Sequence, residues 1–151
     1  MELVEHVQEC INKGEAEASK LPTILLRESI PGLSSNKVRH FLNNLCSIPK
    51  WRHLEIGSHT GSTLLAAGYK NPLDLMVAID NFSMKPEKRS EFFSNVKLVV
   101  QNLPPIHVIE HDCWKFKNEG LGLFNTYFYD AFHSRKAQEM GITYYWKNLE
   151  D

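Results

Sequence analysis

The chain has 151 residues, with 17 Lys and Arg against 18 Asp and Glu, a formal charge of -1, and 42% hydrophobic residues, which describes one globular unit. Leu, Ile, Val and Phe alone supply about 28% of it, enough for a core that needs neither disulfide nor metal. The near-neutral balance leaves no electropositive excess to attract phosphates, which argues against a dedicated binder of nucleic acid or of an anionic membrane surface.

Cys10, Cys46 and Cys113 are odd in number, far apart and in no Cys-x-x-Cys pair, the pattern of ordinary thiols in a reducing compartment. The start, Met1 to His6, has neither the basic charge nor the long apolar run of a secretory signal, and no stretch approaches the ~18 apolar residues of a membrane span. The expectation is a cytoplasmic protein.

Leu3, Val4, Val7 and Ile11 recur at helical spacing and predict an amphipathic helix over residues 2 to about 18, closed by Ser19-Lys20-Leu21-Pro22. Ser34-Ser35-Asn36 offers capping oxygens to a second helix, whose apolar face is Val38, Phe41, Leu42, Leu45 and Cys46. His53 to Ile56 reads as a short strand, Gly57 to Gly61 as a polar turn, and Thr63 to Tyr69 as a helix stopped at Asn71-Pro72. The continuous apolar run Leu75 to Ile79 suits a strand covered on both faces. Pro86 opens a helix predicted to bury Phe92, Phe93, Val96, Val99, Val100 and Leu103, and Pro104-Pro105 stops it. Ile106 to Glu110 and Thr126 to Tyr129 are the third and fourth strands, and Ser134 to Trp146 the last helix. Strands alternating with helices predict an α/β fold: a Rossmann-like parallel sheet of four strands flanked by helices, residues 36–151, behind a helical leader, residues 1–35.

In such a sheet a ligand sits beyond the carboxyl ends of the strands, beside the point where strand order reverses. Each strand here ends at or beside an acid: Glu55 before Gly57, then Asp80-Asn81, Asp112-Cys113 and Asp130. Gly57 and Gly61 let the backbone pivot and present amides, and Ser58, Thr60, Ser62 and Thr63 add hydroxyls. A Gly-x-x-x-Gly turn taken alone reads equally as a structural turn. Asp80, 23 residues after Gly57 and at the end of the next strand, adds a carboxylate placed for the two hydroxyls of a ribose, although it also reads as a cap before Asn81.

The stretch Leu54 to Thr63, with Ala78-Ile79-Asp80 and Tyr129-Asp130-Ala131-Phe132-His133-Ser134, resembles a class I S-adenosylmethionine-dependent methyltransferase, in the subgroup with Asp-x-x-His-Ser after the fourth strand. The resemblance spans roughly residues 36–151, and Pro31 to Ser35 with Asn43-Asn44-Leu45 is similar to that group's leader. It implies that the Gly57–Gly61 turn, with Ser58, His59 and Ser62, holds the methionine moiety, and that Glu55 reaches its ammonium directly or through water. It further implies Asp80, with Asn81 beside it, on the ribose, Asp112 and the Cys113 amide on the adenine edge, and Asp130 and His133 facing the sulfonium and the acceptor. Carboxylates near cationic parts and amides for a carboxylate suit a zwitterionic sulfonium. A dinucleotide is less favoured, because the middle glycine that admits a pyrophosphate is His59 here.

Methyl transfer in line needs donor and acceptor held about 3 Å apart, plus a base where the acceptor loses a proton. His133 is the base candidate because imidazole titrates near neutrality; both it and Asp130 equally suit a helix cap. Asp130 with His133, or His107 and His111 with Cys113, would be partial metal sites lacking a complete ligand set, so no metal is expected. The aromatics Tyr127, Phe128, Tyr129, Phe132, Tyr144, Tyr145 and Trp146 read as packing rather than an acceptor cage. The fold so implied has further strands, and the sequence stops where the fifth would begin. A fragment with doubtful activity is therefore expected, leaving the fourth-strand edge free for oligomer formation. The function so read is transfer to a small-molecule or glycan-type acceptor; the alternative is a non-catalytic nucleoside- or nucleotide-binding domain.

Overall fold

A computed structural model describes residues 2–83 and 85–150; Met1, Met84 and Asp151 lie outside it. The described residues form five α-helices and four strands, in the order α1 (Leu3–Glu15), α2 (Asn36–Leu45), β1 (Arg52–Ile56), α3 (Ser62–Gly68), β2 (Leu75–Ile79), α4 (Glu87–Val99), β3 (Ile106–Ile109), β4 (Thr126–Tyr129) and α5 (Arg135–Tyr145). The strands form one parallel sheet in the order β3-β2-β1-β4. The chain therefore winds outward from β1 to β3, then returns to lay β4 on the other side of β1. That reversal puts the switch point between the ends of β1 and β4.

Burial follows from the topology. The central strands β1 and β2 are buried along nearly their whole length, whereas the outer strands β3 and β4 are only partly covered. On one face Leu42, Cys46, Leu64, Ala67, Met76, Ala78 and Phe92 form a core under α2, α3 and α4. On the other, Leu54, Ile56, Val77, Ile79, Phe124 and Tyr145 pack under α5. The leader is part of this body: Leu25 and Ile30 are buried with Leu65, Tyr69 and Val99.

Three sequence expectations about helix faces are corrected. In α1 the predicted apolar stripe is outside, with Leu3, Val4 and Ile11 exposed, and the helix packs through His6, Cys10 and Gly14. A Cβ on Gly14 would lie 2.9 Å from the Phe41 Cβ, so the missing side chain lets α1 and α2 approach closely, and His6 Nε2 sits 3.1 Å from the Leu45 carbonyl oxygen. In α2 the expected face does pack inward, with Leu42 and Cys46 in the core and Val38 and Phe41 half-buried against it, but Arg39, His40 and Asn43 are buried as well. The polar side chains go inward because they satisfy backbone groups: Asn43 Nδ2 donates to the carbonyls of Ala66 (2.8 Å) and Tyr69 (3.0 Å), closing the end of α3. In α4 the α-helix ends at Val99 and a 3₁₀ turn, Val100–Asn102, follows. Its tighter winding rotates Val100 outward, 53% exposed.

β4 borders the sheet along Thr126–Tyr129 among the described residues. Below it the Phe124 amide donates to the Asn148 carbonyl at 2.7 Å and the Glu150 amide to the Phe124 carbonyl at 3.0 Å, a parallel bridge of Phe124 with Leu149. No helix among the described residues is long and apolar enough to cross a membrane.

Candidate functional site

A cavity of about 520 Å³ opens over the carboxyl ends of all four strands, a size usual for small-molecule sites. Its wall includes Gly57, Ser58, His59 and Ser62 after β1, Asp80 and Asn81 after β2, Asp112 and Cys113 after β3, and Asp130 and His133 after β4. Residues far apart in sequence thus converge on one concavity, at the switch point.

The two glycines of the first turn have different reasons. Gly57 has φ +86°, and a Cβ there would stand 2.5 Å from the Asp130 carbonyl oxygen and 2.8 Å from Ala131 Cα; it is glycine because the β1 and β4 ends meet there. Gly61, φ +81°, caps the start of α3, and a Cβ there would stand 3.0 Å from the Phe92 ring, outside the cavity wall. His59, where a glycine was missed in the sequence, still adopts φ +49°, a left-handed conformation that costs a side-chain-bearing residue about 1–2 kcal/mol.

Asp80 holds that strained turn in place. Its Oδ2 accepts from the His59 amide at 2.8 Å and its Oδ1 from the Phe82 amide at 2.7 Å. The cap role weighed from sequence is thus present, and the same carboxylate also ties the β2 end to the β1 turn at the cavity wall. Each carboxylate oxygen has two lone pairs, so acceptor capacity remains for a ligand. Thr60 Oγ1 donates to the Pro31 carbonyl at 2.9 Å, anchoring the leader across the turn, and Asn95 Nδ2 donates to the Thr60 carbonyl at 2.9 Å.

Glu55 is placed differently from the other candidates. It is fully buried two residues before Gly57, on the α2–α3 side of the sheet, and is not part of the cavity wall; neither carboxylate oxygen has a hydrogen-bond partner. Its nearest cationic group is the His53 ring, with Nε2 at 4.0 Å. Burial works against charge on that ring, but Cys46 and Glu55 beside it outweigh burial and hold its pKa up at about 10. Ser58 Oγ, in the cavity wall, is likewise buried without a partner.

At the β3 end, Asp112 Oδ1 accepts from the Trp114 amide at 2.9 Å, and the Tyr145 hydroxyl donates to the Cys113 carbonyl at 2.6 Å. Burial first, then the Asp112 charge, pushes the Cys113 thiol up to about 11, so it is protonated and unreactive at neutral pH. Burial, and then Lys88, pulls the His59 imidazole below its usual value, leaving a neutral ring at the wall. At the β4 end, His133 Nε2 lies 3.4 Å from Asp130 Oδ1, with the histidine side chain 69% exposed and the aspartate 31%. Among the described residues no three His, Cys, Asp or Glu side chains gather as a metal site requires.

Sequence reasoning missed part of the wall. Pro31, Gly32, Leu33 and Ser34 of the leader, Lys85 just before α4 and Lys88 in its first turn also line the cavity. The leader segment carried a signal, since Pro31-Gly32 followed by serines is a turn with free hydroxyls. Phe132, read as packing, is instead 46% exposed at the cavity, and Trp146 is 60% exposed on the surface. Tyr145, by contrast, is fully buried in the core as expected.

No family model matches the sequence, and no curated protein matches it. Solved structures do. The chain superposes on coclaurine N-methyltransferase, crystallised with N-methylheliamine and SAH, with a TM-score of 0.56 and 13% identity over 99% of this chain. It spans 48% of that protein's length, about half. A candidate RNA methyltransferase from Pyrococcus horikoshii matches 94% of this chain and 79% of its own at 9% identity, with a TM-score of 0.47. The α/β Rossmann-like architecture, four parallel strands flanked by helices, is thus one found in a methyltransferase.

Proposed function

We propose that this chain is an S-adenosylmethionine-dependent methyltransferase domain acting on a small-molecule or glycan-type acceptor. The observation that carries the reading is the Asp80 carboxylate fastened to the β1 turn at the wall of the switch-point cavity. A carboxylate there suits a ribose diol, and no Gly-x-Gly approach for a pyrophosphate accompanies it.

The residues present fit an adenosyl amino acid. Ser58 Oγ, in the cavity wall, is buried with no hydrogen-bond partner among the described residues, and the Glu55 carboxylate, on the other side of Gly57, has none either, with only the His53 ring at 4.0 Å as a neighbouring charge. Glu55 suits an ammonium reached through an intervening water, Asp80 the ribose hydroxyls with Asn81 beside it, and Asp112 with the Cys113 amide an adenine edge. When bound, S-adenosylmethionine supplies an electrophilic methyl on a sulfonium. The protein's own work is to orient and to manage a proton. Gly57, admitting the Asp130–Ala131 backbone, keeps the β1 and β4 ends together, so that the cofactor and acceptor sides of the cavity share one wall. His133, open to solvent and beside Asp130, accepts the acceptor's proton, and Asp130 at 3.4 Å orients the ring. Phe132 offers the acceptor an apolar contact.

Thermal unfolding with S-adenosylmethionine, SAH, NAD and ATP tests this reading, since a ligand of the native state raises stability by RT ln(1 + [L]/Kd). Stabilisation by the first two alone is expected. Stabilisation by NAD or ATP instead would replace it with a nucleotide-binding domain.

A further inference from the structure

Beside the switch-point cavity lies a shallow groove between the β3–β4 connection and the start of α5. The two concavities share Asp112, Phe132 and His133, and Trp114, Ala137 and Met140 extend the wall away from that junction. Trp114 is half-buried, in a T-shaped contact with Tyr144 at 5.7 Å and tilted against Tyr129 at 5.8 Å, which leaves part of its ring open to the groove. Phe132 is fixed as well, because the Tyr129 hydroxyl donates to its carbonyl at 3.0 Å and accepts from its amide at 3.1 Å. A preset apolar wall with a proton acceptor at its mouth is what a hydroxylated ligand needs.

The polar groups of the groove narrow the class of ligand. Ser134 Oγ already accepts from the Ala137 amide at 3.2 Å, and Asp112 Oδ1 from the Trp114 amide at 2.9 Å. A sugar, with hydroxyls around its whole rim, would find few free partners there, and each unmet hydrogen bond costs binding. A flat aromatic ring needs none and gains from contact with Trp114 and Phe132. Charge adds a second restriction. Asp112 is paired with Lys115 at 3.8 Å, His133 lies beside Asp130 at 3.4 Å and Arg135 is paired with Glu139 at 3.0 Å, whereas Lys136 on the groove wall has no ion-pair partner among the described residues. It stands in the first turn of α5, whose dipole adds positive potential at that end. The free charge of the groove is therefore positive and complements an anion.

We propose that this groove seats the acceptor and that its occupant is a small aromatic hydroxy acid, with the ring against Trp114 and Phe132, the acid group toward Lys136 and the hydroxyl at His133. This rests on the adenosyl reading above and narrows its acceptor from a small molecule or glycan to one chemical class. The test titrates the wild type with SAH by calorimetry, then titrates the SAH-saturated chain with 4-hydroxybenzoate, 4-hydroxybenzamide and methyl glucoside. The acid should bind alongside SAH and more tightly than the neutral amide, and the glucoside should bind at least about 10-fold more weakly than the acid. Lys136→Gln, a change to an exposed side chain, should weaken the acid about 2- to 5-fold and leave the amide and SAH unaltered. Trp114→Leu should weaken both ring probes about 3- to 10-fold; Lys136→Gln reports even if that variant fails to fold. SAH binding without any ring probe, a glucoside held as tightly as the acid, exclusion of the acid by SAH, or an acid affinity indifferent to Lys136→Gln would each overturn the role of the groove and leave the adenosyl reading standing. A wild type that binds no SAH would overturn both.

Discussion

Replacing Asp80 by Asn separates what this carboxylate does for the fold from what it does for a ligand. Both oxygens are engaged, one by the His59 amide at 2.8 Å and the other by the Phe82 amide at 2.7 Å. An asparagine offers one carbonyl oxygen, and its NH₂ must face the other amide hydrogen. One charge-assisted bond is lost and a donor is set against a donor, at a cost of about 1.5–3 kcal/mol. Relaxation of His59 from φ +49° returns part of this. For a chain of this length each kcal/mol moves Tm by about 2–4 °C, so a fall of about 3–12 °C is expected without ligand. Loss of the charged acceptor should also weaken SAH by about 10- to 100-fold. Thermal unfolding by circular dichroism, with and without SAH, reads both effects. An unchanged Tm would refute the anchoring of the turn, and an unchanged Kd for SAH would remove Asp80 from the ligand's contacts.

Gly57→Ala combines a left-handed φ with a Cβ 2.5 Å from the Asp130 carbonyl oxygen, and should destabilise by about 2–5 kcal/mol in chemical denaturation; a variant as stable as the wild type would show that the β1 and β4 ends are not in contact. Phe92→Ala removes a fully buried ring that packs on Gly61, Phe82 and Phe93 and should cost about 3–5 kcal/mol in the same experiment. His133→Ala touches an exposed side chain beside Asp130 alone; stability should change by less than about 0.5 kcal/mol with SAH affinity unaltered, and a marked loss of stability would make His133 a structural cap. The raised Cys113 pKa of about 11 means that its protonated form contributes stability in full below the unfolded value near 9, and that this contribution is lost as pH rises through 11. Its alkylation by iodoacetamide at pH 8, followed by mass spectrometry, should run at least about 100-fold slower than that of free cysteine, and labelling at the free rate would contradict the burial.

The sheet was legible because its signals are local. Leu75–Ile79 is an uninterrupted apolar run and Thr126–Tyr129 a β-branched and aromatic one, and both match the observed strands residue for residue. The strand-end acids were legible for the same reason, since Asp80 and Asp130 directly follow β2 and β4 and Asp112 lies in the turn after β3, and the fold brings them to one cavity. Helix faces were less so. A count of apolar residues at helical spacing selects Leu3, Val4 and Ile11, but close packing of two helices at Gly14 buries a different stripe of α1. In α2, hydropathy hides Arg39 and Asn43, whose burial depends on backbone carbonyls of distant segments, Leu25 for one and Ala66 and Tyr69 for the other. Two consecutive asparagines inside a helix, both weak helix formers, were the available hint. The leader's place in the cavity wall was harder to read, because it is set by contacts with distant segments: Leu25 and Ile30 buried against Leu65, Tyr69 and Val99, and the bond from Thr60 to the Pro31 carbonyl.

The central claim, that an adenosyl cofactor lies across the β1 turn with its sugar on Asp80, is tested most directly by a crystal structure of the chain grown with SAH. The expected result is density over Gly57–Ser62 with both ribose hydroxyls within hydrogen-bond distance of the Asp80 carboxylate. Ligand density elsewhere, with Asp80 bonded only to the amides of His59 and Phe82, would contradict it.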